Sequence, residues 1–327
     1  MSVVNHRCAV LGKPIAHSLS PVLHNAAYRA LGLDDWAYDR HEVGQDDLDG
    51  FLHGLDPSWV GLSLTMPLKK TIQPYGIPSN IWAMQLGVAN TAVFDWSDME
   101  HGRDGLPAIR LYNTDVMGIV LAIDHALSQP SSTDVAALLD AEPSEAASRR
   151  SESDRPARAV ILGNGNTAMS AVAACTMALD SRIGHITIAA RHPDRNLCLA
   201  TGIGAVLGGV TVESIFLDEA VGKARAADLV ISTLPAHAAD PFAHAVADAS
   251  GPAPRGILLD VVYDPRPTDL MRVWSDRGTL AIGGQEMLLY QAILQVARMT
   301  TGLKTPEDWD VLDIIEQPMR QALEEAL

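Results

Sequence analysis

The chain has 327 residues, 47% hydrophobic and 20% charged, enough for two domains that each bury a core and ordinary for a soluble globular protein. A formal net charge of −16 excludes the clustered basic surface that a nucleic-acid backbone requires. Three widely separated cysteines, Cys8, Cys175 and Cys198, exclude a disulfide framework and a zinc site, so a reducing cytoplasm and no metal are expected. The amino terminus, M-S-V-V-N-H-R-C-A-V, lacks the apolar core of a signal peptide. Residues 159–179 carry no charge, but Gly163-Asn164-Gly165-Asn166 interrupts them and alanine predominates. They read as strand, turn and buried helix rather than a membrane span.

In chain order, residues 8–11 form an apolar strand that ends in the loop G-K-P-I-A-H-S-L-S-P-V-L-H-N. Ser20 followed by Pro21 predicts a helix start, with serine as the cap, and Leu23, Ala26, Ala27 and Leu31 as its core face. Ser18 and Ser20 thus stand at a helix amino terminus, which suits a carboxylate or a hydroxyl-rich ligand. His17 and His24 have no acidic neighbour and read as structural. A second strand is predicted over 36–43 and a helix over 46–55. The run 59–64 is a buried strand whose ladder cannot continue past Pro67. The stretch 61–69, G-L-S-L-T-M-P-L-K, therefore turns at a strand's carboxyl end, where open α/β sheets bind ligands. Taken alone, Lys69 there reads as an ordinary surface lysine. A short helix over 78–86 leads to Gly87-Val88-Ala89-Asn90-Thr91, and the β-rich runs 91–96 and 109–112 predict a hairpin. Asn113-Thr114-Asp115 follows, then the helical pattern Gly118, Ile119, Ile123, Leu127, for which Asp115 alone reads as a cap.

From 128 to 156 the composition turns to Ser, Ala, Asp, Glu and paired arginines, which predicts an insertion or linker with one short helix over 134–141. The strand 158–162 then runs into Gly163-Asn164-Gly165-Asn166-Thr167-Ala168, a G-x-G-x-x-A dinucleotide fingerprint. Its two glycines permit the tight turn and the close approach of a phosphate, so Gly163, Gly165, Asn166 and Thr167 are the candidate cofactor contacts. The strand 186–190 ends at Ala189-Ala190-Arg191, where an acidic residue would serve a ribose 2′-hydroxyl. An arginine without that acid suits a 2′-phosphate, so NADP is expected over NAD, although Asp194 is near. Further strands are predicted over 229–232, ending at Thr233, over 256–262, ending in Tyr263-Asp264-Pro265, and over 279–282 before Gly283-Gly284. Thr233 counts among the cofactor contacts. The doubly wound unit is complete by Ile282, so the helix after it and an acidic amphipathic helix over 309–326 are expected to return to the first domain.

Together these stretches resemble the shikimate dehydrogenase family, in order and over nearly the whole chain. Residues 12–25 match G-x-P-I-x-H-S-x-S-P-x-x-H-N, whose serines, here Ser18 and Ser20, hold the substrate carboxylate. Residues 61–69 match G-x-N-V-T-x-P-x-K, which implies Lys69 as the catalytic group and Thr65 as a substrate contact. Gly87 to Thr91 resembles G-A-x-N-T and carries over Asn90. Asn113-Thr114-Asp115-x-x-Gly118 matches N-T-D-x-x-G, which implies that Asp115 partners the lysine. Gly284-x-x-Met287-Leu288-x-x-Gln291 matches G-x-x-M-L-x-x-Q, which implies Gln291 as a substrate ligand and Gly284 beside the nicotinamide; Tyr263, in D-x-x-Y-x-P, lies beside cofactor and substrate. Ser63 stands where the family motif has asparagine, which removes a substrate hydrogen bond or hands it to water. Asn164, Asn166 and Thr167 are bulkier than the family's G-A-G-G-A-A, and Ala190 replaces the asparagine of N-R-T/S, leaving more of the 2′-phosphate to Arg191.

The resemblance implies an α/β protein of two domains: a substrate domain at 1–115, a Rossmann-type NADP domain at 116–284 with the insertion at 128–157, and helices at 285–327 that complete the first. It implies NADP-dependent reduction of 3-dehydroshikimate to shikimate in chorismate biosynthesis, with small molecules, no nucleic acid and no membrane as partners, by a monomer or a homodimer. Lys69 then delivers a proton to the developing alkoxide while Asp115 orients it. Two alternatives stay open: an NAD-preferring quinate/shikimate dehydrogenase, and a non-catalytic metabolite sensor on the same fold, which would be expected to lack the Lys69 and Asp115 pair.

Overall fold

The computed structural model describes residues 3–127, 156–177, 182–196, 209–300 and 310–327. The predicted insertion with its short helix, and Cys198, lie outside these residues apart from Pro156. Among the described residues, those up to Thr114 and from Leu289 onward form one compact unit, and those from Asp115 to Leu288 form a second.

The first unit contains β1 (His6–Gly12), α1 (Ser20–Ala30), β2 (Trp36–Glu42), α2 (Leu48–His53), β3 (Trp59–Leu64), α3 (Leu68–Thr71), β4 (Ile77–Pro78), α4 (Ile81–Leu86), β5 (Thr91–Asp95) and β6 (Ala108–Tyr112). Its six-stranded sheet has the order β2-β1-β3-β5-β6-β4. β1 is parallel to both β2 and β3, so all three strands present their carboxyl ends at one edge. β5 runs antiparallel to β3 and to β6, the latter being the predicted hairpin. Alternation along β3 sends Leu62 and Leu64 into a core with Leu11, Leu48, Trp59 and Leu111. Each such fully buried leucine contributes roughly 1.5–3 kcal/mol. Ser63 lies on the opposite face, where the side chain of Gln295 meets it.

The second unit contains α5 (Asp115–Ala126), β7 (Ala157–Leu162), α6 (Asn166–Cys175), β8 (Ile183–Ala190), β9 (Thr211–Phe216), α7 (Val221–Ala226), β10 (Leu229–Ser232), α8 (Asp240–Asp248), β11 (Ile257–Asp260), α9 (Asp269–Ser275) and β12 (Ala281–Gly283). Its six strands have the order β12-β11-β10-β7-β8-β9 and every pairing is parallel. Counted from β7 this is the 3-2-1-4-5-6 order of the Rossmann fold, with its switch point between β7 and β10. The expected α/β class and Rossmann-type sheet are therefore both present. β9, α7 and α9 had no counterpart in the sequence reading. β9 is an edge strand without a fully buried residue, so it lacks the apolar run that marks its neighbours.

α10 (Gly284–Thr300) begins in the second unit and ends in the first, and α11 (Asp310–Ala326) closes the chain by packing on α1. Among the described residues no helix is long and apolar enough to cross a membrane.

Candidate functional site

The β1–α1 loop carries both serines. Contrary to expectation Ser20 does not cap α1: the helix starts at Ser20 itself, and the hydroxyl that meets its first N–H is Ser18 Oγ, 3.3 Å from Ser20 N. A one-residue shift of the helix start exchanges the roles, since Pro21 fits either of the first two helical positions. Both serines are buried. Arg40 at the end of β2 donates its guanidinium to the carbonyls of Ala16 and Ser18, and so holds this loop. Sequence reading missed Arg40, because an exposed arginine near a strand end carries no local signal. The loop is drawn against the end of β3 by backbone bonds from Thr65 N to Leu11 O (2.9 Å) and from Lys13 N to Met66 O (3.0 Å).

As expected, β3 stops before Pro67, and Leu68 N bonds back to Thr65 O at 2.7 Å to start α3. Lys69 is the second residue of that helix and is half-buried. Its carbonyl accepts from Ala89 N at 2.9 Å, which docks the segment before Asn90 beside it. Asn90 is 2% exposed and is the centre of a buried cluster. Its Oδ1 accepts from Thr114 N at 2.8 Å and from Thr91 Oγ1 at 3.0 Å. Its Nδ2 donates to Thr114 Oγ1 at 2.9 Å and to Gln291 Oε1 at 3.3 Å. Thr114 Oγ1 donates in turn to the Gln291 carbonyl at 3.1 Å. The first unit thus joins Asn90 and Gln291, two of the expected ligands, through Thr114, which the sequence reading quoted in a motif without a role. Ser63, 3% exposed, bonds to Tyr38 and Gln295.

Behind the serines, His24 is fully buried, stacked on Tyr38 with ring centroids 3.8 Å apart, and its Nδ1 bonds Ser20 O at 2.9 Å. Burial lowers its pKa to about 4, against a smaller opposing effect of the Ser20 carbonyl. It is a neutral core histidine, as read from the sequence; His17 is exposed.

Asp115 belongs to the second unit, where it is the first residue of α5, buried, with its charge at the favourable end of the helix dipole. The glycine turn between β7 and α6 needs its first glycine for conformational reasons. Gly163 has φ +106°, a conformation reserved in practice for glycine, and a Cβ there would collide with Thr233 Oγ1. Gly165, next to the first turn of α6, is exposed and would project a Cβ into open space. Thr233 Oγ1 donates to Leu162 O at 2.9 Å, which ties the ends of β7 and β10 together at the switch point. Arg191 is exposed just past β8, and Asn164 Nδ2 reaches across to the carbonyl of His192 at 2.8 Å. The bulk at position 164 thus links the glycine turn to the arginine segment.

Tyr263 leaves the end of β11 half-buried; burial first, and the Asp264 carboxylate second, raise its phenol above the ordinary value. The segment before it is held by Asp260, which accepts from Thr268 Oγ1 at 2.7 Å while that hydroxyl caps α9 through Met271 N. Asp260 is a second residue that sequence reading passed over, although it opens the quoted D-x-x-Y motif. Gly284 starts α10 pressed against the chain after β11: a Cβ would overlap the Val261 carbonyl. Among the described residues no group of His, Cys, Asp and Glu could hold a metal ion.

Residues 10–92 match the family model described as shikimate dehydrogenase substrate binding domain. The shikimate dehydrogenase (NADP(+)) of Methanothermobacter thermautotrophicus is 29% identical, covering 97% of each chain. The enzyme of the same name from Methanothrix thermoacetophila is 30% identical, covering 96% of this chain and 97% of its own. The crystal structure of Mycobacterium tuberculosis shikimate dehydrogenase superposes with a TM-score of 0.71 at 32% identity, covering 98% of this chain and 99% of the other. With such identity sustained from end to end in both sequence and structure, the chain belongs to the shikimate dehydrogenase family.

Proposed function

We propose that this protein catalyses the NADP-dependent, reversible reduction of 3-dehydroshikimate to shikimate in aromatic amino-acid biosynthesis. The observation that carries the reading is the end-to-end similarity to relatives named shikimate dehydrogenase (NADP(+)). In this reading residues 1–115 and the helices of 285–327 form the substrate domain, and residues 116–284 the NADP domain.

Ser18 and Ser20 bind the substrate carboxylate, on a loop that Arg40 keeps in place. Thr65, Asn90 and Gln291 take its hydroxyl groups, and the hydrogen bonds that already join Asn90 to Gln291 mean that little side-chain freedom is lost on binding. Lys69 donates a proton to the oxygen that gains negative charge, and Asp115 orients the amine and accepts from a substrate hydroxyl. Gly163, Gly165, Asn166 and Thr167 present backbone N–H groups to the pyrophosphate, Arg191 pairs with the 2′-phosphate, and Thr233 and Gly284 border the nicotinamide. NADPH, when bound, supplies the hydride. Tyr263, half-buried, donates its O–H beside cofactor and substrate. The enzyme works in the cytoplasm on small molecules, as a monomer or a homodimer.

A spectrophotometric assay of the reduced nicotinamide, with the purified full chain and each pairing of shikimate or quinate with NADP+ or NAD+, tests this. The highest kcat/KM is expected with shikimate and NADP+. A higher value with quinate and NAD+, or no turnover in any pairing, overturns it.

A further inference from the structure

α10 carries Gln291 and, one helical turn later on the same face, Gln295, which is 1% exposed. The Gln295 amide bridges two strands. Its Oε1 accepts from Ser63 Oγ on β3 at 2.8 Å, and its Nε2 donates to the Asn90 carbonyl at 3.1 Å and to Thr91 Oγ1 at 3.2 Å. Ser63 Oγ in turn accepts from the Tyr38 hydroxyl at 2.5 Å. The Asn90 carbonyl can only accept, so Nε2 of Gln295 faces it and Oε1 faces Ser63; with one proton on each hydroxyl, the direction of this chain follows. Ser63 receives from Tyr38 and gives to Gln295; Thr91 receives from Gln295 and gives to Asn90 Oδ1. Oδ1 has two lone pairs, and Thr114 N takes the other at 2.8 Å. The amide of Asn90 is thereby oriented. Its N–H₂ edge meets Gln291, which answers with Oε1, and the second amide is oriented by the first.

We propose that Gln295 is a positioning residue: through Thr91, and alongside Thr114 N, it fixes the amide of Asn90, and through Asn90 that of Gln291, so that Gln291 turns its Nε2 end rather than its carbonyl oxygen toward the substrate. The matching ligand is rich in acceptor oxygens, a carbonyl or hydroxyls on a small ring. Ser63, the departure from the family motif, is then the outer anchor of the positioning chain. The proposal rests on Asn90 and Gln291 belonging to the substrate site, with Gln291 as the ligand.

Gln295→Met keeps the volume and removes both hydrogen-bonding ends. In the full chain, assayed with shikimate and NADP+, it is expected to raise KM for shikimate about tenfold, the effect of one lost buried hydrogen bond, with KM for NADP+ unchanged. Asn90→Ala is expected to raise KM for shikimate as well, and Gln295→Met added to it to change KM by less than about twofold, because the residue through which Gln295 acts is gone. Gln295→Glu, of the same shape but with no donor end, draws the Thr91 proton away from Asn90 and should reproduce the KM shift if the methionine variant does not fold. Independent, multiplying effects of the two substitutions, or an unchanged shikimate KM in both Gln295 variants, overturn the positioning role. An unchanged KM in Asn90→Ala overturns instead the ligand reading beneath it.

Discussion

The candidate residues of the two units are held by different material. In the first unit the work falls to side chains: Ser63, Asn90, Thr91, Thr114, Gln291 and Gln295 bond one another in a buried cluster in which each group depends on the next. In the second unit it falls to the backbone: a glycine with positive φ, the amino terminus of α6, and strand ends tied at Thr233. Side-chain clusters are specific because removing one partner strands a buried polar group, whereas a backbone turn tolerates changed side chains as long as its dihedral angles survive. On this ground Asn164, Asn166 and Thr167 are compatible with the backbone geometry of the glycine turn, whereas the buried cluster of the first unit tolerates fewer changes.

The contrast breaks first at Lys69. Lys69→Ala is expected to lower kcat by about 10²- to 10⁴-fold with the fold intact, as for any positioned proton-transfer group, read by steady-state rates and by circular dichroism. Near-normal turnover would remove Lys69 from the chemistry. Next, Arg191→Ala should raise KM for NADP+ by about tenfold or more while leaving that for NAD+ unchanged, since only the 2′-phosphate distinguishes them. An equal effect on both cofactors would assign the arginine elsewhere.

A paired test within one turn sharpens the backbone argument. Gly163→Ala, at φ +106° and against Thr233, should cost about 1–3 kcal/mol of stability and weaken NADP+ binding, whereas Asn164→Ala, which loses only the link to His192, should cost less than about 1.5 kcal/mol. Denaturant unfolding and cofactor titration of the two proteins check the order; equal effects would refute it.

A last effect concerns pH. His24 stays neutral down to about pH 4 in the fold but protonates near 6.5 when unfolded, so the unfolded state binds more protons between those values. Stability is therefore expected to fall as pH drops from 6.5 toward 4. His24→Phe, which retains the stack on Tyr38, should flatten that slope in a series of unfolding curves.

Much of the fold was legible in the sequence because its signals are local. The apolar runs at Trp59–Leu64 and Leu229–Ser232 coincide with β3 and β10, and the glycine pattern at 163–168 marks the β7–α6 turn. Burial on both faces leaves an uninterrupted hydrophobic run, and a positive φ leaves a glycine. β9, half-exposed at an edge, wrote no such run. At the candidate site the motifs singled out Ser18, Lys69, Asn90 and Gln291 but gave no sign of what holds them. Gln295 meets Asn90 across 205 residues of chain, Arg40 holds the Ser18 loop from a neighbouring strand, and Ser63 meets Tyr38 across 25. Hydrogen bonds between distant segments impose no periodicity on either segment. The chain by itself determined most of its strands, its glycine turn and the chemical groups of the candidate site; which amide faces which, and that Ser18 rather than Ser20 meets the start of α1, was decided only when folding brought those segments side by side.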